Sequence, residues 1–226
     1  MKRFRIPLLA RCILLCGVFL VFSCGGGGGS GDGNLLTNGG FERGNLSGWL
    51  VAVIGIPSPA GDFYAIDATS MNDQMTSLLA GSSEGDWFAF STQSGAATAA
   101  LIQSFTVPAE AASVILSYDM FVLDQSESGP INTGFLAHNA DSNQHARVDI
   151  LAANAMPFET EATGDDVVRN LYIGVDGDTP ILPYITYSFD LTEDLTLGET
   201  YQLRFAFTIT EAVINMGIDN VSVMVR

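Results

Sequence analysis

The stretch Gly81-Ser82-Ser83-Glu84-Gly85 fits the G-x-S-x-G pattern of a nucleophile elbow. That turn needs a strand before the serine and a helix after it. Here an aromatic strand-like run, Trp87 to Ser91, follows instead. The two histidines, His138 and His145, lie in or beside a polar stretch, so serine catalysis is not expected. The same histidines are seven residues apart without a helical pattern. They read as exposed loop residues, not as a metal-ligating pair. Asn139-x-Asp141-x-Asn143 has the opening of a calcium loop but lacks its turn glycine and distal glutamate. Asp165-Asp166 and Asp176-Gly177-Asp178 read as solvated acidic turns. No motif selects a catalytic pair among the 25 acids, and there is no phosphate loop or zinc spacing. The expectation is a protein that is not an enzyme.

Two other groups are harder to dismiss. Arg147, Asp149 and Arg204 sit in the middle of alternating stretches, on the faces opposite the apolar ones. Planar guanidinium and carboxylate groups on a sheet face can bind a ligand. They can equally form a cross-strand salt bridge on a solvated face, and that reading is favoured. A tight turn at Asn38-Gly39-Gly40 leads into a short strand carrying Phe41 and Glu42, and Asp219 is the one acid at an otherwise apolar position of Gly217–Val223.

Composition bounds the rest. The chain has 226 residues, 47% hydrophobic and 10% aromatic, which suits one domain with a sizeable core. Beyond residue 24, five arginines (Arg43, Arg147, Arg169, Arg204, Arg226) stand against all 25 acids. Such a field repels phosphate backbones, so nucleic-acid binding is not expected. It favours solubility and cation uptake.

Residues 1–23 read as a targeting segment. Lys2, Arg3 and Arg5 form its basic start, and Cys12–Phe22 its apolar run. Val21-Phe22-Ser23-Cys24 resembles a bacterial lipobox, with Cys24 the residue to be lipidated. Arg11 shortens the apolar run below the roughly 20 residues of a spanning helix. Residues 24–33 are then a lipidated cysteine and a glycine-rich tether, with no disulfide left for the domain. The expected location is the cell envelope, on an outer-membrane lipoprotein.

Residues 34–226 read as strands and turns. Candidate strands are 49–54, 63–66, 87–91, 99–107, 113–123, 146–151, 167–173, 184–191, 201–210 and 217–225. Those at 167–173 and 184–191 flank a Gly-Asp-Pro hairpin region. Residues 71–80 are the best candidate for a helical turn. The period-two alternation is clearest at 113–123 and 201–210. Ten short strands without a long helix predict an all-β, two-sheet antiparallel sandwich or jelly roll.

Asn34–Trp49, NLLTNGGFERGNLSGW, resembles the opening of jelly-roll carbohydrate-binding modules of the family 4, 9 and 22 type, within the galactose-binding-like superfold. Gly217–Val223, GIDNVSV, resembles their closing strand. The stretches NQHARVDI, LTLGETYQLRF and EGDWFAF are similar to exported bacterial proteins built on the same ends. The resemblance implies that the two ends pair as neighbouring strands around a structural calcium. Glu42 and Asp219 would be its side-chain ligands, with backbone carbonyls near Asn38 and Gly40. It also implies a glycan partner at the concave sheet face, where Arg147, Asp149 and Arg204 would act alongside the aromatics Tyr118, Phe121, Tyr172, Tyr184, Tyr187 and Trp87. Trp49 is expected in the core. A structural or adhesive surface protein is the alternative.

Overall fold

The computed structural model describes residues 33–55, 62–71, 81–93, 95–124, 135–139, 143–158, 161, 164–174, 184–210 and 213–226. The leader, most of the tether, residues 72–80 of the expected helical turn and the Gly-Asp-Pro region lie outside them. The alternating stretches become ten strands: β1 (Leu50–Gly55), β2 (Tyr64–Asp67), β3 (Trp87–Gln93), β4 (Ala97–Thr106), β5 (Val114–Asp124), β6 (His145–Ala152), β7 (Val167–Gly174), β8 (Ile185–Asp190), β9 (Thr200–Ile209) and β10 (Ile214–Val225). A 3₁₀ turn at Ala68–Ser70 follows β2, capped by the Asp67 side chain.

The strands form two five-stranded sheets, ordered β1-β4-β9-β6-β7 and β2-β3-β10-β5-β8, with antiparallel pairing throughout. This is the two-sheet sandwich that the strand pattern predicts. Each sheet turns one set of alternate residues inward. Leu203, Phe205 and Phe207 of β9 and Leu116, Tyr118 and Met120 of β5 belong to one buried cluster. Tyr118 stands edge-on to Phe205 across the layers, centroids 5.1 Å apart. Trp49 is a core residue as expected, 5.7 Å from Phe41 and 6.1 Å from Phe205.

Three expectations need correction. Phe41 and Glu42 are not in a strand. Phe41 is fully buried with φ 56°, a left-handed conformation that bulky residues rarely adopt and that breaks any ladder there. The stretches 167–173 and 184–191 do not pair as a hairpin, because β7 and β8 are edges of different sheets. Arg169 closes that seam: it donates to the Asp190 carbonyl at 2.9 Å, pairs with Asp194 and lies over the Phe189 ring. His145 is not in a loop. It lies in β6 and is wholly buried.

Candidate functional site

Residues 33–41 run beside β10. Leu35 N donates to Val223 O at 2.8 Å, Val225 N to Gly33 O at 2.9 Å and Val221 N to Gly39 O at 3.0 Å. Asn34 forms a bridge with Met224, and its Oδ1 accepts from Val223 N at 3.0 Å. The two ends therefore do lie together, as an interrupted ladder. A Cβ on Gly39 would fall on the Val221 carbonyl, so only glycine permits this approach. Asn38, Phe41 and Asn220 all have positive φ. Strain of this kind collects where a structure must aim particular groups.

Those groups are carboxylates. Asp219, fully buried on β10, accepts Ser83 N (2.8 Å) and Glu84 N (3.1 Å) on Oδ2 and Asn220 N (2.7 Å) on Oδ1. Glu42 accepts Asp86 N on Oε2 and Trp87 N on Oε1, both at 3.1 Å. The loop 83–87 thus hangs by its amides from two acids, one contributed by each end. Gly85 between them has φ 64°, and a Cβ there would strike the Glu42 carboxylate. Burial, with a further push from the Glu42 charge, raises the Asp219 carboxyl to about 6, while the three amides oppose the shift.

Asp119 of β5 faces Asp219 across the ladder. It accepts the Ser83 hydroxyl at 2.5 Å, the Thr186 hydroxyl at 2.6 Å and Asn220 Nδ2 at 3.4 Å. Ser83 therefore spends its hydroxyl on a carboxylate, and its loop leads into β3, not a helix. It has none of the surroundings of a nucleophile. The sequence reading does not bring Asp119 or Asn220 to this site, and it weighs Ser83 only as a nucleophile. An acid in mid-strand at position 119 was the available signal.

A pocket of about 340 Å³ opens beside this junction, lined by Gly40, Glu42, Glu84, Gly85 and Asn220. Glu42 has a second lone pair free on each oxygen, and Glu84 and Gly40 border the same space. That oxygen-rich lining fits a hard cation. Asp219 Oδ2 already accepts two amides. The Asn38 carbonyl accepts Phe41 N at 3.3 Å and Trp49 Nε1 at 3.2 Å, so it would have to release a donor to join. Among the described residues, no group of three or more His, Cys, Asp or Glu is arranged to hold a metal ion. A cation here would depend on backbone and amide oxygens as well as carboxylates.

The second group lies on the outer face of the first sheet. Cross-strand register sets Leu50, Ile102, Arg204, Asp149 and Asn170 in one row. Ala52, Ala100, Ala206, Arg147 and Ile173 form the next. Ile54, Thr98, Thr208 and His145 form a third. Asp149 bridges both arginines, at 2.9 Å to Arg147 Nη2 and 2.6 Å to Arg204 Nη2, and also accepts Asn170 Nδ2 at 2.8 Å. The cross-strand bridge exists, but the solvated face does not: Arg147, Asp149 and Arg204 are all 0% exposed.

The chain itself covers them. Arg204 Nη1 donates to Pro157 O at 2.8 Å, and Gln202 Nε2 to Ala153 O at 2.6 Å. Asn143 Nδ2 donates to Phe135 O at 2.9 Å and Ala137 O at 3.2 Å. Leu136 and Phe158 pack on Ala100, Ile102 and Ala206. Burial lowers the Arg204 pKa, with Asp149 opposing. Burial and the Arg147 charge bring His145 down to about 4, against the pull of Asp149.

The expected aromatics do not gather at this face. Tyr118 is in the core. Tyr172 and Tyr187 meet at the β7–β8 seam, 5.6 Å apart, and Trp87 lies against Gly44. Phe121 and Tyr184 join Phe88 and Phe90 in a cluster of their own. There Gly217 leaves room for the Phe121 ring, which a Cβ would strike.

No protein-family model matches the chain, and no curated protein matches it. Among solved structures it is similar to TmCBM61, determined in complex with beta-1,4-galactotriose. The identity is 12%, covering 85% of this chain and 99% of that one, with a TM-score of 0.52. It is also similar to the CBM22-1 xylan-binding domain from Paenibacillus barcinonensis Xyn10C (12% identity, 87% and 97% covered, TM-score 0.46). A third is the K2 cleaved adhesin domain of Lys-gingipain (14%, 87% and 99%, 0.43). At these identities the likeness is one of fold: the chain is a two-sheet antiparallel β-sandwich with the fold seen in TmCBM61.

Proposed function

We propose that this is a non-catalytic, carbohydrate-binding-module-like domain that engages glycan. In this reading it carries a structural calcium where its two ends meet, and lipid on Cys24 holds it at the outer membrane. The supporting observation is the fold shared with a module determined in complex with beta-1,4-galactotriose, combined with the planar groups of Arg147, Asp149, Arg204 and Asn170 converging on one sheet face, a face that must be uncovered before glycan can reach it. Groups in fixed, fork-like geometry suit the paired hydroxyls of a sugar ring. The calcium would sit in the pocket beside Glu42, Gly40 and Glu84, with Asp219 behind. Its charge would relieve the repulsion among the acids and tie the ends together.

A polysaccharide panel tests the reading by pull-down and titration calorimetry. The expected result is saturable binding to at least one glycan, weakened by Asn170→Ala and by Arg204→Lys. A panel without binding overturns it.

One observation favours a structural or adhesive role instead. The charged face is covered, and Leu50, Ile54, Phe135 and Met156 lie on or beside the covering with exposed side chains. Under this second reading the panel is silent, and Leu50→Asp with Ile54→Asp abolishes attachment to a protein partner. A hydrolase would turn over glycosides or esters and lose that turnover in Ser83→Ala.

A further inference from the structure

We propose that His145 is a proton-operated latch: protonation of its ring releases segment 135–138 and, through the cluster that Leu136 shares with Phe158, segment 153–158, and bares the face formed by Arg147, Asp149 and Arg204. The latch supplies regulation to the face where glycan is proposed to bind, and for that purpose it rests on the glycan reading.

The hydrogen bonds fix which nitrogen of His145 carries the proton. Asn143 donates its amide nitrogen to the carbonyls of Phe135 and Ala137. Its Oδ1 is therefore the atom that faces His145 Nδ1, at 3.0 Å. An amide oxygen only accepts, so Nδ1 holds the hydrogen and Nε2 presents a bare lone pair. Nε2 is buried and, among the described residues, has no hydrogen-bond partner. The neutral ring tolerates this arrangement.

A second proton would not be tolerated. It would create an N–H without an acceptor and a cation without water, each costly in a dry site. The groups around the ring offer little relief. Thr208 lies opposite on β9, and Thr98 is the next residue in that row on β4. Arg147 and Asp149 follow on β6, with Arg204 beyond on β9. The covering contributes Asn143, itself held by its own N–H on Thr210 Oγ1 at 3.0 Å. Asp149 is already bridged to both arginines. The ring thus resists its second proton while it stays covered, consistent with a pKa held near 4. Admitting water is the cheaper response. Water reaches Nε2 only if the chain that buries the ring moves, and Asn143, seated on Nδ1, is the residue that ties Phe135 and Ala137 to that chain.

Amide hydrogen exchange on the full chain tests the latch at pH 7 and pH 4.5, with rates corrected for intrinsic exchange. Residues 135–138, 143 and 153–158 should lose protection by about tenfold or more at the lower pH, while β5 and β10 keep theirs. His145→Gln can still donate to Asn143 Oδ1 but does not titrate, and it should stay protected at both pH values. The proposal is overturned by an unchanged covering at pH 4.5, by an equal loss in His145→Gln, or by loss spread across β5 and β10. If His145→Gln does not fold, the imidazole tautomer in the wild type decides: an Nδ1–H ring at pH 7 supports the latch, and an Nε2–H ring overturns it. Glycan titration at both pH values separates the two ideas. Opening without glycan binding leaves the latch standing and removes the glycan reading. Binding without opening does the reverse.

Discussion

Asp219 lies directly across the β5–β10 ladder from Asp119, two buried carboxylates at a position where like charges destabilise a sheet. Asp119 is relieved by hydroxyls from Ser83 and Thr186, Asp219 by three backbone amides. The pair places two buried carboxylates where the two ends of the chain meet.

That placement gives a specific pH profile. Asp219 is raised to about 6 in the folded state. Its contribution is fully present below its unfolded value near 4 and is lost as pH rises through 6, about 2 kcal/mol after allowing for the open pocket beside it. His145 is lowered to about 4. Its contribution is present above about 6.5 and is lost as pH falls toward 4, about 3 kcal/mol. The two nearly cancel. Urea melts in chelator should therefore show wild-type stability almost flat between about pH 4 and 6.5. Asp219→Asn should expose a fall on acidification, and His145→Gln a rise. Parallel profiles in all three proteins would refute both assignments.

The buried ion cluster predicts an asymmetry between breaking it and replacing it. Asp149→Ala strands two buried arginines and should cost about 3–5 kcal/mol. The triple change Arg147→Met, Asp149→Leu, Arg204→Met removes the charges together and should cost far less. Denaturant unfolding of both variants gives the comparison. A triple variant as unstable as Asp149→Ala would mean that the cluster's hydrogen bonds, including Arg204 to Pro157 O, hold the fold on their own.

Gly217→Ala places a methyl group against the Phe121 ring, which Phe90 and Tyr184 also confine. The expected loss is about 1–3 kcal/mol, with near-native circular dichroism. Restoration by Phe121→Leu in the same chain would confirm that the ring is the obstacle, and no restoration would place the strain in the backbone.

Which parts of this were legible in the sequence follows from what each part depends on. The alternation of Tyr201–Ile209 showed both the strand and its inward set, because burial of one face leaves a period of two. The likeness of Asn34–Trp49 and Gly217–Val223 to the two ends of known modules brought Glu42 and Asp219 to one place. Two things were not legible. Alternation names two faces but does not say that the second is also buried, so Arg204 reads as a residue of a solvated face. Its covering comes from residues 135–138 and 153–158, which carry no periodicity. The left-handed turn at Phe41 was hidden because bulky residues rarely adopt it. His145 reads as polar, and only its position beneath that covering makes it a core residue.

Glu42 carries the loop 83–87 on two amides and borders the pocket, which makes it the most informative residue to neutralise. The decisive measurement is calorimetric melting in millimolar calcium and in chelator, for the wild type and Glu42→Gln. Calcium should raise the wild-type melting temperature by about 4 °C or more, equivalent to roughly 1–2 kcal/mol of linkage, and should leave Glu42→Gln unmoved. Identical wild-type melting in calcium and in chelator would contradict a cation clamp between the two ends.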